Sequence, residues 1–282
     1  VCWRVLPHTE RGERTRFDVA GNVALAAAVL ALMLLAERTP KWGWSDARTI
    51  GIAVAAVAFA RAFVVIERRV EHPLIPIRYF RRRSFTSSVI AATFAQFGYM
   101  GGFILLPVLL DEVGNWSDTR VSLTSTPRPF AFAIAGMVAG RLFATVEPRT
   151  LTLVGTSMIS VSLVMIAFAV DGLPLWLIVA SALVSGWGMG TVQPVSSTVV
   201  ANSVSNQDLG VAGATVQMAI QVATSLGMNI FDAMHTALGA TNGTLGGFER
   251  SYQIGALISA GGIAAALWIP RRAHLTHDPI GH

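Results

Sequence analysis

The run TLTLVGTSMISVSLVMIAFAV, residues 150–170, and the run LWLIVASALVSGWGMGTVQPVSSTVVA, residues 175–201, decide what kind of protein this is. Neither contains a charged side chain. Each is long enough to cross a hydrocarbon core as a helix, which takes about 20 residues. Between Arg149 and Glu249 the only charged side chains are Asp171, Asp208 and Asp232. A water-facing surface cannot be made with so little charge, so lipid is the solvent this stretch fits. The whole chain agrees: of 282 residues only 13% are charged, where a soluble domain carries about 25%. Its mean hydropathy is +0.57.

Working outward, eight apolar runs reach spanning length: Val19–Ala36, Thr49–Ile66, Phe85–Leu110, Ser122–Val146, Thr150–Val170, Leu175–Ala201, Gly210–Met234 and Tyr252–Ile269. The runs are continuous and do not alternate with period two, which excludes a β-barrel. The fold class expected is therefore an all-α, polytopic membrane protein of about eight transmembrane helices. Composition divides it into a basic segment 1–18, a helix pair 19–66, a basic linker 67–84, a six-helix block 85–270 and a tail 271–282. The linker carries Pro73, Pro76 and the cluster Arg81–Arg83.

Charge asymmetry orients the chain. With eight crossings, fourteen arginines fall on the side of the N-terminus and six basic residues on the other, with Arg61 inside a span. Positive residues favour the cytoplasmic side, so both ends of this segment are expected in the cytoplasm of a multi-pass cell-membrane protein. Trp42, Trp44, Trp116 and Trp176 fall at predicted external helix ends, the level amphipathic indoles prefer.

Several functions find no support. Cys2 is the single cysteine, the six histidines form no metal-ligand pattern, and no phosphate-cradling glycine loop is present. No cofactor is expected, no enzyme chemistry, and no nucleic-acid partner despite a net charge of +5. The chain starts with Val1 rather than Met and is expected to be part of a longer polypeptide.

The informative residues are small or polar groups inside spans. Gly98 with Gly102, Gly136 with Gly140, Gly186 with Gly190, and Gly255 with Ser259 are spaced four apart, which lets helix backbones approach; static packing and contacts that slide during transport both fit that spacing. Gln217 and Gln221 share a helix face, Gln96 and Tyr99 share another, and Gln193 precedes Pro194. Polar groups in spans face a bundle interior or an aqueous cavity, so these five are the candidate lining of a substrate cavity, with interhelical hydrogen bonding as the alternative. Asp232 and His235, at i and i+3, are the candidate proton-linked pair, though an interfacial helix end also explains them. Arg128, between Pro127 and Pro129, reads as a snorkelling anchor or an anion-attracting gate. Asp111 and Glu112 end the third run and are expected to face water.

These residues resemble the second half of a fourteen-helix drug:proton antiporter of the major facilitator superfamily. The resemblance runs through Phe17-Asp18-Val19-Ala20-Gly21, Trp42-Gly43-Trp44-Ser45, Glu67-Arg68-Arg69 and His72-Pro73-Leu74-Ile75-Pro76. It continues through Ala139-Gly140-Arg141-Leu142 with Pro148-Arg149, and Gly186-Trp187-Gly188-Met189-Gly190. It implies two linker helices followed by a C-terminal six-helix half, with an N-terminal six-helix half as the missing partner. It also implies export of hydrophobic or cationic small molecules in exchange for protons, driven by the proton gradient through alternating access. Gly136, Gly140, Arg141 and Arg149 align with a degenerate copy of the family's cytoplasmic loop motif. Arg141 stands where an acidic residue is usual and Glu147 where a glycine is, so a tight turn is expected rather than a charge latch. The alternative is a non-transporting membrane module, such as an assembly or sensor partner, or a non-functional fragment.

Overall fold

In the computed structural model the described residues are 19–43, 45–67, 77–205 and 208–270. The segments 1–18 and 271–282, most of the basic linker and Trp44 lie outside them. With no water available in lipid, each backbone N–H and C=O must be satisfied within its own segment, and only a helix does this for isolated runs. The described residues are accordingly helical. In order they form α1 (Val19–Trp42), α2 (Ala47–Glu67), a 3-10 turn (Ile77–Arg81), α3 (Arg83–Glu112), α4 (Asp118–Ser125) and α5 (Pro127–Leu142). Then follow α6 (Pro148–Ala169), α7 (Leu175–Ala201), α8 (Leu209–Ser259) and α9 (Gly261–Leu267). Five stretches are long and apolar enough to cross a membrane, the last of them running through Leu209–Leu267.

That last stretch holds two crossings. Gly243 has φ 75° and ψ 166°, a conformation open to glycine and strained for other residues. There α8 turns back on itself into limbs 209–242 and 244–259. The return brings Phe248 over the ring of His235 at 3.8 Å and Tyr252 to 6.3 Å from Phe231. Each of the eight apolar runs thus has a helical counterpart, with three corrections of detail. The fourth run is divided at Thr126 into α4 and α5, because Pro127 and Pro129 remove two N–H donors. The seventh run extends to residue 242, and the eighth begins at 244 with almost no loop between.

Short connections make neighbouring spans antiparallel, and contacts at both ends confirm the alternation. At the arginine-rich end Arg83 lies 5.7 Å from the ring centre of Trp268, and the Tyr79 hydroxyl meets Asp208. At the opposite end Trp116 and Leu173 join one hydrophobic cluster, and His235 faces Glu112. Prolines start the helices where a missing N–H costs nothing: Pro127 on α5 and Pro148 on α6. Hydroxyls inside spans return their protons to their own helix, as Thr152 does to Pro148 O at 2.9 Å.

Small residues set the packing distances. A side chain on Gly186 or Gly190 of α7 would run into the carbonyl oxygens of Arg128 or Phe132 on α5. Gly155 of α6 and Gly188 of α7 face each other in the same way. Phe231 fills a slot whose two walls, Gly101 of α3 and Gly255 of the second limb, have no room for a Cβ. Of the predicted pairs, Gly98 with Gly102, Gly186 with Gly190, and Gly255 with Ser259 are close packed, Gly136 is in ordinary contact, and Gly140 faces open space. The α1–α2 pair leans on α8 through Ala24 and Phe63 against Val211 and Met218.

Candidate functional site

Arg128 enters the protein at the broken start of α5. Its guanidinium carbon lies 3.7 Å from the ring centre of Tyr99 and 4.7 Å from that of Phe103, and its Nη2 donates to the carbonyl oxygen of Tyr99. Tyr99 and Phe103 are one turn apart on α3, so they form a single aromatic face. The arginine is 5% exposed, and its Nε is buried with no hydrogen-bond partner. The snorkelling reading is therefore corrected: the head group is turned inward and not led to an interface. Tyr99 and Phe103 lie roughly 13 to 20 Å from the Glu112 end of α3, at 1.5 Å per residue, well inside a hydrocarbon core of about 30 Å.

Beside Arg128 is a crevice bounded by α3, α4, α5, α6 and α7, with space for about one water molecule. Four serines line it: Ser125, Ser162, Ser181 and Ser185. Each donates its hydroxyl proton to a carbonyl of its own helix at 2.7–3.0 Å. No acidic side chain lines the crevice.

The five predicted cavity residues do not gather there. Only Tyr99 lines the crevice. Gln96 is buried and donates to Thr224 Oγ1 at 2.8 Å, joining α3 to the first limb of α8. Gln193 is half-buried, while Gln217 and Gln221 are exposed along one face of α8. That face offers uncharged amides outward.

Asp232 and His235 do not pair either. Asp232 is exposed. The acidic partner of His235 is Glu112 of α3, with Nε2 3.6 Å from Oε2, while His235 Nδ1 is buried and unpartnered. Glu112, expected simply to face water, is half exposed and spans two helices.

The family model of the Major Facilitator Superfamily matches residues 14–228 and 90–282. The chain belongs to this superfamily. Among the relatives of this major facilitator chain is the tetracenomycin C resistance and export protein of Streptomyces glaucescens. The two are 27% identical over 241 residues, which is 83% of this chain and 44% of that one. The tetracycline resistance determinant of Streptomyces rimosus is 26% identical over 264 residues, 93% of this chain and 70% of that protein. Multidrug resistance protein 3 of Bacillus subtilis (strain 168) is 25% identical over 229 residues, 79% and 44% of the two chains. The chain thus spans from 44% to 70% of the length of these three. It is a multi-pass membrane protein of a transporter family, and the three are named for resistance or export, not catalysis.

The loop-motif residues of this major facilitator chain sit at the arginine-rich end. Gly140 and Arg141 are exposed, Gly136 and Arg149 half-buried, and among the described residues neither arginine forms an ion pair. Between α5 and α6 the chain makes a tight turn, closed by Phe143 N to Ala139 O at 2.8 Å and Val146 N to Leu142 O at 2.7 Å.

At the same end is a cluster that the sequence did not single out. The Tyr79 hydroxyl and Ser205 Oγ both donate to Asp208 Oδ2, at 2.5 and 2.7 Å. Arg82 donates from Nη1 to Ser203 O at 2.8 Å and lies 5.3 Å from the Tyr79 ring centre. The signal for Asp208 was its rarity, as one of three charges in the apolar stretch. For Thr224 and Glu112 no signal existed, because their partners lie on other helices.

Proposed function

We propose that this chain forms one wall of a transporter that exports hydrophobic or cationic small molecules in exchange for protons, by alternating access against a second six-helix half. The observation that carries this is the outward face of Gln217 and Gln221 on a helix at membrane depth. Uncharged amides in a span are costly against lipid and suited to a water-filled cavity. The resistance and export relatives support the direction of transport, and the greater length of several of them supports a second wall. Close backbone packing among α5, α6 and α7 favours a block that rocks as a unit, as halves of this kind of transporter are expected to do.

On this reading the cavity lies between the halves, with the amides as neutral hydrogen-bonding groups for varied cargo. Proton exchange on this half falls to Glu112 and His235, since Asp232 has no place in the pair. What supports this pair is its geometry, an imidazole and a carboxylate 3.6 Å apart that join α3 to α8. The charge bias supports a cytoplasmic position for the arginine-rich end.

The test is export by the natural full-length protein in cells stripped of their own efflux pumps. Accumulation of a lipophilic dye is expected to fall on expression and to recover when an uncoupler dissipates the proton gradient. Unchanged accumulation across a panel of dyes and antibiotics, with the protein verified in the membrane, would leave a non-transporting membrane module as the better reading.

A further inference from the structure

A cation buried at membrane depth is expensive and marks a functional site by default. Arg128 is such a cation, and among the described residues no carboxylate pairs with it. It is held, but not neutralised. The rings of Tyr99 and Phe103 take up its face and the Tyr99 carbonyl takes Nη2, leaving Nε without an acceptor. We propose that the Arg128 crevice binds an anionic oxygen presented by an amphipathic molecule.

Three features define that ligand. The first is the charge, which repels a cation and attracts an anion through a medium where such attraction is weakly screened. The second is the size of the space. Room for about one water admits a single oxygen at the tip of a carboxylate, enolate or phosphodiester, the rest of the anionic group staying outside. The third is the surroundings. Phe103, Leu106, Leu163 and Ile166 give the crevice apolar walls, which suit an acid delivered on a hydrocarbon stem whose bulk stays outside. The four serines complete the site, because hydroxyl rotors that now donate to their own helices can turn to donate to an incoming anion.

Such an oxygen has two natural sources, the cargo of the transporter or a lipid head group. Where it is cargo, the inference rests on the transport reading and narrows it from cations toward hydrophobic molecules bearing an acidic group. The binding itself does not need transport to be measured.

The experiment uses the full-length protein in nanodiscs of zwitterionic lipid, with pyrenebutyrate and its neutral methyl ester as probes read by fluorescence anisotropy. Wild type is expected to prefer the acid roughly tenfold, the worth of one charge-assisted hydrogen bond. Arg128→Met is expected to abolish that preference while leaving ester binding unchanged. Ser185→Asp keeps the arginine, puts a carboxylate in the crevice wall and should abolish the preference too. Arg128→Lys should retain part of it. Repeating the wild-type measurement with phosphatidylglycerol in the disc separates the sources: a lost preference identifies the head group as occupant, a retained one identifies cargo. Equal affinity for acid and ester in wild type overturns the proposal. So does a preference that survives both Arg128→Met and Ser185→Asp. A third result against it is Arg128→Met weakening both probes alike with a lower melting temperature, the signature of an arginine that only staples α5 to α3.

Discussion

The hydroxyl of Tyr79 lies 2.5 Å from Oδ2 of Asp208, across 129 residues of chain. The 3-10 turn ahead of α3 is thereby fastened to the segment that opens α8. A hydrogen bond to a carboxylate is stronger than one between neutral groups, and this one is supported by Ser205 and by Arg82 stacked near the phenol. Tyr79→Phe keeps the ring and removes only the donor. It is expected to lower stability by on the order of 1 kcal/mol and to speed amide exchange in residues 77–82, 203–205 and 208–209. Exchange unchanged in all of these would show that the clasp does not hold them.

Phe231 gives the steepest expected loss. Its ring is fully buried between Gly101 and Gly255 and touches Phe97 and Tyr252. Phe231→Ala leaves a slot that two glycines cannot fill, at a cost of about 3–5 kcal/mol. A thermal melt of the detergent-purified protein checks it. A melting temperature within error of wild type would mean that the slot collapses freely.

The glycines of the spans should respond unequally to the same change. Gly190→Ala drives a methyl into the Phe132 carbonyl and the Ala135 methyl, and overpacking of that kind costs about 1–3 kcal/mol. Gly140→Ala meets nothing within 4 Å and gains helix propensity of up to about 1 kcal/mol. Paired melts should shift in opposite directions.

Gln217→Ala combined with Gln221→Ala is expected to alter which dyes the full-length protein exports while leaving its stability within about 0.5 kcal/mol, as exposed positions do. An unchanged export profile at equal expression removes these amides from the cavity.

The proposal that Glu112 and His235 exchange protons can be tested by comparing two carboxylates. Glu112→Gln removes the group that faces His235 and should weaken the dependence of export on the proton gradient. Asp232→Asn removes an exposed carboxylate that His235 does not contact and should leave that dependence as in wild type. The reverse pattern would return the role to Asp232.

What could be read beforehand follows a physical line. Apolar length is a local property, so the spans were legible residue by residue, whereas the division of the fourth run at Thr126 emerges only in the structure. Asn242-Gly243 is a turn signal lying between the seventh and eighth runs, but nothing local tells that helix continues up to it on both sides. The site was less legible, since every decisive partner is distant along the chain. Gln96 was read as cavity lining, yet its amide is taken by Thr224. His235 was matched to the acid nearest in sequence, whereas packing supplies Glu112 from α3. Arg128 stood out for its flanking prolines, but no pattern in the chain tells whether such a side chain points to lipid, water or protein.

The helix Ala47–Ile66 has 6% of its most apolar window covered by protein, against 61% for Arg83–Glu112. Within this chain that segment is held less by packing than by the bilayer, and the pair it belongs to meets the six-helix block through Ala24 and Phe63 against Val211 and Met218. Random substitution along 47–66 should therefore be forgiven wherever it adds no charge, while the slots and crossings of the remaining spans tolerate few replacements.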